Sequence, residues 1–438
     1  MKFRYIVIAF LILSFPIRSY GLTLEEERKY GREVYLQIAK SAPINNDPYI
    51  SIHLVSLKNR LEAAATSLPF PITLTVIDSD GIDAFATIGG YVFITTGLIG
   101  FCENEEELAG VLAHEFTHVA RRHVARSLEK EKVLNVGMLA SVLLGLLIPN
   151  PAAQAAALTT GMGATMAASL KYTREMEEEA DRGGAIIADK AGYGALGTVE
   201  FLKKLRSGGG DKLLPQYLLT HPYHEDRIVR IESAWQGNKP LIVDDFFPYL
   251  PVRVKVLHSP HKEGMENMWL SKYVKNKNDS PSAYGLSLVY SMKGDTADSI
   301  NIAKDIKSPY RNLFLGEILV NARRFGDAID VLKNETNPVS RFFLAKALEG
   351  KGDRTRATSV FGELLQFGDT FPEIYYRYGM LSGRGGDEAK GYAYLGRYYL
   401  QTGREDLARH NLEKAIAKYG INSKEGQELL KLFETKKK

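Results

Sequence analysis

His114-Glu115-Phe116-Thr117-His118 sets two imidazoles four residues apart, with a carboxylate directly after the first. On a helix, residues i and i+4 lie on one face about one turn apart, so both rings can address a single cation. Zinc suits such a pair, because it takes nitrogen and carboxylate ligands in tetrahedral geometry and keeps one position for water in catalytic sites. Glu115 stands where it can take a proton from that water. A third protein ligand is needed, and the next charged stretch offers Glu177, Glu178 and Glu179, the first of them 59 residues beyond His118. Spacing alone leaves these three in competition, and the ordinary fate of any one of them is a solvated helix face. Asp181 lies at helical spacing from Glu177, so one carboxylate can meet the metal while the other accepts the outward N–H of a ligand histidine and fixes its tautomer. The chemistry expected of this set, with one Zn2+ per chain, is peptide hydrolysis: the metal acidifies a water, and Glu115 accepts its proton and later protonates the leaving amine.

The elements that must position these groups can be read around them. Asn104 is a good N-cap, followed by Glu105, Glu106 and Glu107, where the positive end of the helix dipole favours them. The helix is expected to run to about Leu128, with Leu108, Val111, Leu112, Val119 and Val124 as its buried stripe. At 100° per residue His123 falls about 140° round from His118, which argues against it as a ligand. His53, His224, His258, His261 and His410 show no partner pattern and read as surface or structural residues. A second charged helix is expected over Thr173–Ala191. Before the motif, Leu24–Lys40 and Ile50–Ala65 read as amphipathic helices, the latter with Leu54, Leu57 and Leu61 on one face. The β-branched runs Ile72–Ile77 and Tyr91–Thr96 read as strands.

Between the two charged helices, 133–170 carries no charged residue and breaks at Pro149-Asn150-Pro151. It reads as an apolar helical hairpin, either a lid over the cleft or an element that touches a membrane, since its first half is too short for a full span. Residues 241–281, rich in Pro, Lys and Asn, read as a linker. From Ser282 onward a helix–turn–helix unit repeats, most clearly at Tyr392, Leu395, Gly396, Tyr399, Gly403, Ala408, Leu412 and Ala415, the large–small pattern of a tetratricopeptide repeat. Leu344 to Phe361 and Leu315 to Leu332 give further copies, and a partial unit around Tyr378 and Gly379 lacks a clear second helix. The expected architecture is α+β, mainly helical: a leader at 1–21, a peptidase domain with a small β-sheet at 22–240, and an α-solenoid at 282–438.

These features also resemble a known family. The HExxH of His114 to His118, together with Glu177-Glu178-Glu179-Ala180-Asp181, is similar to the HExxH and ExxAD pair of the HtpX/BepA-like zinc metallopeptidases. Asp83-Ala84-Phe85-Ala86 with Gly89-Gly90 resembles that family's NAFAxPGG segment, with Asp83 in place of Asn and Ile88 in place of Pro. The resemblance selects Glu177 as the third ligand and implies a gluzincin fold with endopeptidase activity. It further implies that an extended substrate pairs with Tyr91, Val92, Phe93 and Ile94 as a sheet edge. His221, in Leu218-Leu219-Thr220-His221-Pro222, resembles a family histidine that fills the open metal position and keeps the enzyme latent; read without the resemblance it is a loop or capping histidine. Arg227 is a candidate for an oxyanion or substrate contact, against the commoner fate of a surface ion pair.

Composition bounds the setting. With 56 Lys and Arg against 52 Asp and Glu, the net charge of +4 is too small and dispersed for a nucleic-acid footprint. Lys2 and Arg4 precede an apolar run, Tyr5–Phe15, and small residues near Gly21, the pattern of a cleaved secretory signal. Cys102 is the one cysteine, so no intramolecular disulfide can form, and export without disulfides fits a bacterial periplasm. The function expected is a periplasmic zinc endopeptidase acting on misfolded or stalled envelope proteins, with the repeats docking substrates or an outer-membrane assembly machine. Peripheral membrane contact is also open. The alternative is a chaperone or assembly factor in which proteolysis is secondary.

Overall fold

In the computed structural model the described residues are 21–131, 136–146, 172–208, 217–222, 225–235, 239–260 and 262–434. The expected leader, apart from Gly21, and most of the expected 133–170 hairpin lie outside them.

The chain opens with α1 (Leu24–Ser41), started by a capping box in which Thr23 and Glu26 satisfy each other's backbone N–H groups. α2 (Pro48–Ala64) follows, with Asp47 accepting from the N–H groups of Tyr49 and Ile50. Leu54, Leu57 and Leu61 are buried, as their spacing predicts. Three strands come next, β1 (Thr73–Ile77), β2 (Ala84–Ala86) and β3 (Tyr91–Thr95), in the order β1-β3-β2. β1 runs parallel to β3 and β2 antiparallel to it, with Phe85 opposite Phe93. Tyr91, Val92, Phe93 and Ile94 therefore form the central strand and not a sheet edge, which corrects the expectation for substrate pairing. The edge on the side of the motif is β2, a three-residue strand whose two alanines carry little strand signal. Its turn into β3 passes through Gly89 and Gly90, both at positive φ, and a Cβ at Gly90 would lie 2.6 Å from the Pro71 carbonyl.

After the short α3 (Thr96–Phe101), α4 (Glu105–Ala120) carries the motif, with Asn104 accepting from the Glu107 N–H. It does not continue to Leu128. Arg122 adopts a left-handed conformation (φ 54°), held by its guanidinium on Glu27 and on the Leu22 carbonyl. A separate helix, α5 (His123–Glu131), then departs in a new direction. Of the apolar hairpin, Val136–Leu146 is described and forms α6, whose Leu139, Ala140, Val142 and Leu143 pack with Val34 and Ile38 of α1. This half is core. Among the described residues, no helix is long and apolar enough to cross a membrane.

α7 (Arg174–Lys190) lies against α4, and α8 (Gly197–Gly208), the single turn α9 (Tyr217–Thr220) and α10 (Glu225–Ala234) complete the surroundings of the motif. Contrary to the linker expectation, 241–281 is packed. It forms α11 (Tyr249–Arg253), a π turn over Val254–His258 and α12 (Met265–Lys275), and it buries Phe247, Leu250, Val256 and Trp269 in a core shared with both flanking regions. Arg253 also ties it to both flanking regions. Its guanidinium reaches Asp47 (2.6 Å), Glu317 (2.8 Å) and the Tyr284 hydroxyl (2.6 Å), and it stacks over the Tyr49 ring at 4.0 Å.

Ten further helices follow: α13 (Ser280–Lys293), α14 (Thr296–Asp305), α15 (Arg311–Asn321), α16 (Phe325–Leu332), α17 (Pro338–Lys351), α18 (Arg354–Glu363), α19 (Glu373–Arg384), α20 (Glu388–Gln401), α21 (Glu405–Tyr419) and α22 (Lys424–Glu434). They form antiparallel hairpins. A Cβ at Gly316 would meet Leu332 at 2.5 Å, and one at Gly396 would meet Leu412 at 2.6 Å. Both pairs are 16 residues apart, so a small residue on the first helix of a unit receives a large one from the second. α19 packs against α20, with Gly379 facing Gly391 and Leu395, so the unit around Tyr378 does find a second helix. The array returns to the start of the chain, where Arg32 meets Glu405 at 2.8 Å and the Tyr35 hydroxyl reaches the Gln401 carbonyl.

Candidate metal centre

His114 and His118 leave α4 on one face, with their Nε2 atoms 3.0 Å apart. Glu177 comes from α7, its Oε1 3.5 Å from His118 Nε2 and its Oε2 3.6 Å from His114 Nε2. His221, just after α9, brings Nδ1 to 3.3 Å from His114 Nε2 and 3.0 Å from Glu177 Oε1. One donor atom from each of the four residues lies within 4.8 Å of the others, and all four side chains are buried. Three imidazoles and a carboxylate converging in a dry site have too few protons to hydrogen-bond one another all round, and a cation satisfies every one of them at once. The donor set fits a divalent metal such as zinc.

The close approach of α4 and α7 makes this possible. Gly184 touches the His114 backbone, where a Cβ would stand 2.9 Å from its Cα, and Gly183 lies against Thr117. Asp181, one turn beyond Glu177, places Oδ1 3.1 Å from His114 Nδ1, the carboxylate–imidazole contact that its spacing suggested. Burial would raise the Asp181 carboxyl, but Arg227 and His114 outweigh that and hold it well below the usual range. Glu177 is likewise lowered in spite of burial, by His221, His114 and Arg227. Arg227 is itself fully buried. Its Nε and Nη2 each donate to Asp181 at 2.8 Å, while Nη1 lies 2.7 Å from Glu177 Oε2 and donates to the Pro222 carbonyl at 3.2 Å. With all three nitrogens committed to carboxylates and backbone, Arg227 clamps the two acids in place; neither the oxyanion contact nor the surface ion pair matches its position. A buried guanidinium requires such counter-charges.

Glu115 faces the cluster from α4. Its Oε2 accepts from the Ala86 N–H of β2 at 2.9 Å, and its Oε1 lies 3.3 Å from His221 Nε2. Burial pushes its carboxyl up to about 8. Asp83, beside it and also fully buried, is raised to about 8 for the same reason. His221 thus stands between the cluster and Glu115. Tyr217 stacks on it with ring centroids 4.5 Å apart, and the Tyr217 N–H donates to the Ile82 carbonyl, tying α9 to the start of β2.

Glu178 and Glu179, the competing ligand candidates, turn away from the cluster: Glu178 pairs with Arg174 and Arg230, and Glu179 with His123 and Arg126. Two neighbours of the site, Tyr172 and Tyr217, went unread in the sequence, and His123 was read only as a non-ligand. Tyr172 packs its ring 3.8 Å from His118, Tyr217 covers His221, and His123 lies 2.9 Å from His118 Nδ1. His123 is not among the clustered donors, but the break at Arg122 brings it to the rear of His118. A second group, His53, Glu105 and Asp244, has each imidazole nitrogen facing a different carboxylate (3.0 and 3.4 Å), the geometry of a histidine bridging two acids. Cys102 is buried and its thiol is pushed up by that burial, in keeping with a core role.

Comparison with known proteins places the cluster inside a matched family span. Residues 54–234 match peptidase family M48, a span that holds all four clustered residues together with Glu115, Asp181 and Arg227. The beta-barrel assembly-enhancing protease of Escherichia coli is 29% identical over 359 residues, 77% of this chain and 73% of the relative. The putative beta-barrel assembly-enhancing protease of Vibrio cholerae is 34% identical over 243 residues, covering 54% of this chain and 49% of the relative. The mitochondrial metalloendopeptidase OMA1 of Saccharomyces cerevisiae is 30% identical over 160 residues, 35% of this chain and 43% of the relative.

Proposed function

Since this chain carries a peptidase family M48 domain and is a metallopeptidase, we propose that it is a zinc endopeptidase whose metal is held by His114, His118 and Glu177, with His221 as a fourth, inhibitory ligand and Glu115 as the proton carrier. The observation that carries this reading is the convergence of four buried donors beside a carboxylate that a backbone N–H holds in place. The zinc, when bound, supplies Lewis-acid activation of water and of the scissile carbonyl.

The protein's own groups do the rest. Ala86 pins Oε2 of Glu115, so Oε1, on the side of the cluster, is the atom that takes a proton from the attacking water and returns it to the leaving amine. Asp181 orients His114, and Arg227 fixes both Asp181 and Glu177. His221 occupies the space between Glu115 and the cluster, so this arrangement is closed and α9 must move for substrate to enter. An extended peptide then lies along β2, the edge on this side of the sheet, where main-chain pairing imposes little sequence demand.

The names of the bacterial relatives, which refer to β-barrel assembly, support unfolded or misassembled outer-membrane proteins as substrates. That setting implies export to the periplasm by the leader at 1–21, and docking of substrate or assembly machinery on the repeats at 282–438. The packed segment 241–281 favours treating the peptidase domain and the array as one unit. An assembly factor with secondary proteolysis is the alternative, and complementation by Glu115→Gln separates the two.

Metal analysis with a cleavage assay on an unfolded protein tests the site. Ala at His114, His118 or Glu177 should remove zinc and activity together, while His221→Ala should keep zinc and raise basal turnover. Wild-type zinc content in all three ligand variants would refute the assignment, and equal turnover of His221→Ala and wild type would refute the latch.

A further inference from the structure

His118 is supported from behind by a chain of polar contacts that neither the ligand motif nor the relatives' names account for. Its Nδ1, the nitrogen turned away from the cluster, lies 2.9 Å from Nδ1 of His123, and Nε2 of His123 lies 2.9 Å from Oε2 of Glu179. Both imidazoles are buried, whereas the Glu179 side chain is about half exposed and also meets Arg126 at 3.2 Å. From this geometry, and on the reading of the site proposed above, we infer that His123 and Glu179 are positioning residues that fix the tautomer and ring orientation of His118.

Proton accounting sets the direction of the chain. For His118 to offer a lone pair to a metal at Nε2, the atom facing His114 and Glu177, a neutral ring must carry its proton on Nδ1. Among the described residues that N–H meets one acceptor, the bare Nδ1 of His123. His123 must then carry its own proton on Nε2, which donates to the Glu179 carboxylate. Each link determines the next, and the order cannot be reversed without placing a proton on the metal side of His118. His123 is not itself a ligand, because both of its nitrogens are used and its Nδ1 faces the rear of His118.

The two motif histidines are therefore held differently: His114 by a carboxylate whose charge Arg227 balances, His118 by a neutral imidazole that relays to a carboxylate near the surface. The turn at Arg122 is what permits this. By ending α4 it swings His123 back beneath His118, a place that a continuous helix would not reach.

The test measures zinc affinity of the full chain by competition with a chelator, alongside the melting temperature with and without zinc. His123→Ala should weaken zinc roughly 10- to 100-fold, the usual effect of losing a partner that orients a ligand. His123→Asn, whose side-chain oxygen can stand near the Nδ1 position as an acceptor, should recover most of that loss. Glu179→Ala, at the half-exposed end, should cost a smaller factor of roughly 2 to 5 and should have no further effect in the His123→Ala background, because the two act as one chain. Wild-type affinity in His123→Ala overturns the inference, and so does equal weakening in the Ala and Asn variants, which would mark a packing role only. If His123→Ala does not fold, wild-type affinity in Glu179→Ala overturns it. Should His114→Ala also bind zinc as wild type does, the fault lies in the ligand assignment and not in the support of His118.

Discussion

At the scale of single residues, the site is an arrangement of groups that would be unstable apart. Asp181 and Glu177 are buried acids held below their usual range against burial, and Arg227 is the cation between them. Asp181→Asn keeps the size of the side chain but removes the charge that meets both Arg227 and His114. Zinc affinity should fall roughly 10- to 100-fold, read by chelator competition, and unchanged affinity would make Asp181 a purely structural residue. The pairing of His114 with His118 was legible because the motif is local: a helix places positions 114 and 118 on one face whatever the tertiary fold. Glu177 needed the family resemblance, since sequence spacing could not separate it from Glu178 and Glu179. Tyr172, Tyr217 and His123 were not legible, because their roles depend on returning segments and on the left-handed Arg122, for which an arginine gives no local signal.

At the scale of elements, the segment 241–281 shows why composition misleads. Its Pro, Lys and Asn suggested a linker, yet Phe247, Leu250, Val256 and Trp269 are buried and Arg253 joins Asp47 at the start of α2 to Glu317 in α15. Arg253→Met should destabilise the chain by about 3–5 kcal/mol in denaturant unfolding, because two buried carboxylates lose their counter-charge. Zinc affinity should not change, as the network lies apart from the metal centre. The same network carries a pH dependence. His258 stands against Asp47 (3.3 Å) and Asp78 (3.0 Å), whose charges outweigh burial and raise its imidazole to about 9. Its contribution is complete below the unfolded value near 6.5 and is lost as the pH rises toward 9. Asp47, lowered to about 2 by Arg253 and His258 against burial, acts at the other end, losing its contribution as the pH falls from 3.8 toward 2. The melting temperature should therefore decline between pH 6.5 and 9 in the wild type and decline less in His258→Gln. Parallel curves for the two proteins would remove His258 from the account. The strand reading failed in a similar way: β1 and β3 announce themselves with β-branched runs, while Ala84-Phe85-Ala86 does not, and missing it turned a central strand into an apparent edge.

At the scale of the whole molecule, a helical array packs through a common core onto a small peptidase domain and returns to meet α1. The repeating helix pairs were legible from their small and large residues, since close packing of two helices needs that alternation at each crossing. Their path back to α1 was not, because it sums small rotations that no single repeat encodes. The array and the metal centre have a biological meaning together only if the centre hydrolyses peptide bonds, and that claim turns on Glu115. The most direct measurement compares zinc content and cleavage of an unfolded protein by wild type and Glu115→Gln. One zinc per chain is expected in both, with turnover lower by roughly 10²- to 10⁴-fold in the variant. Wild-type turnover in Glu115→Gln with its zinc intact would contradict the claim.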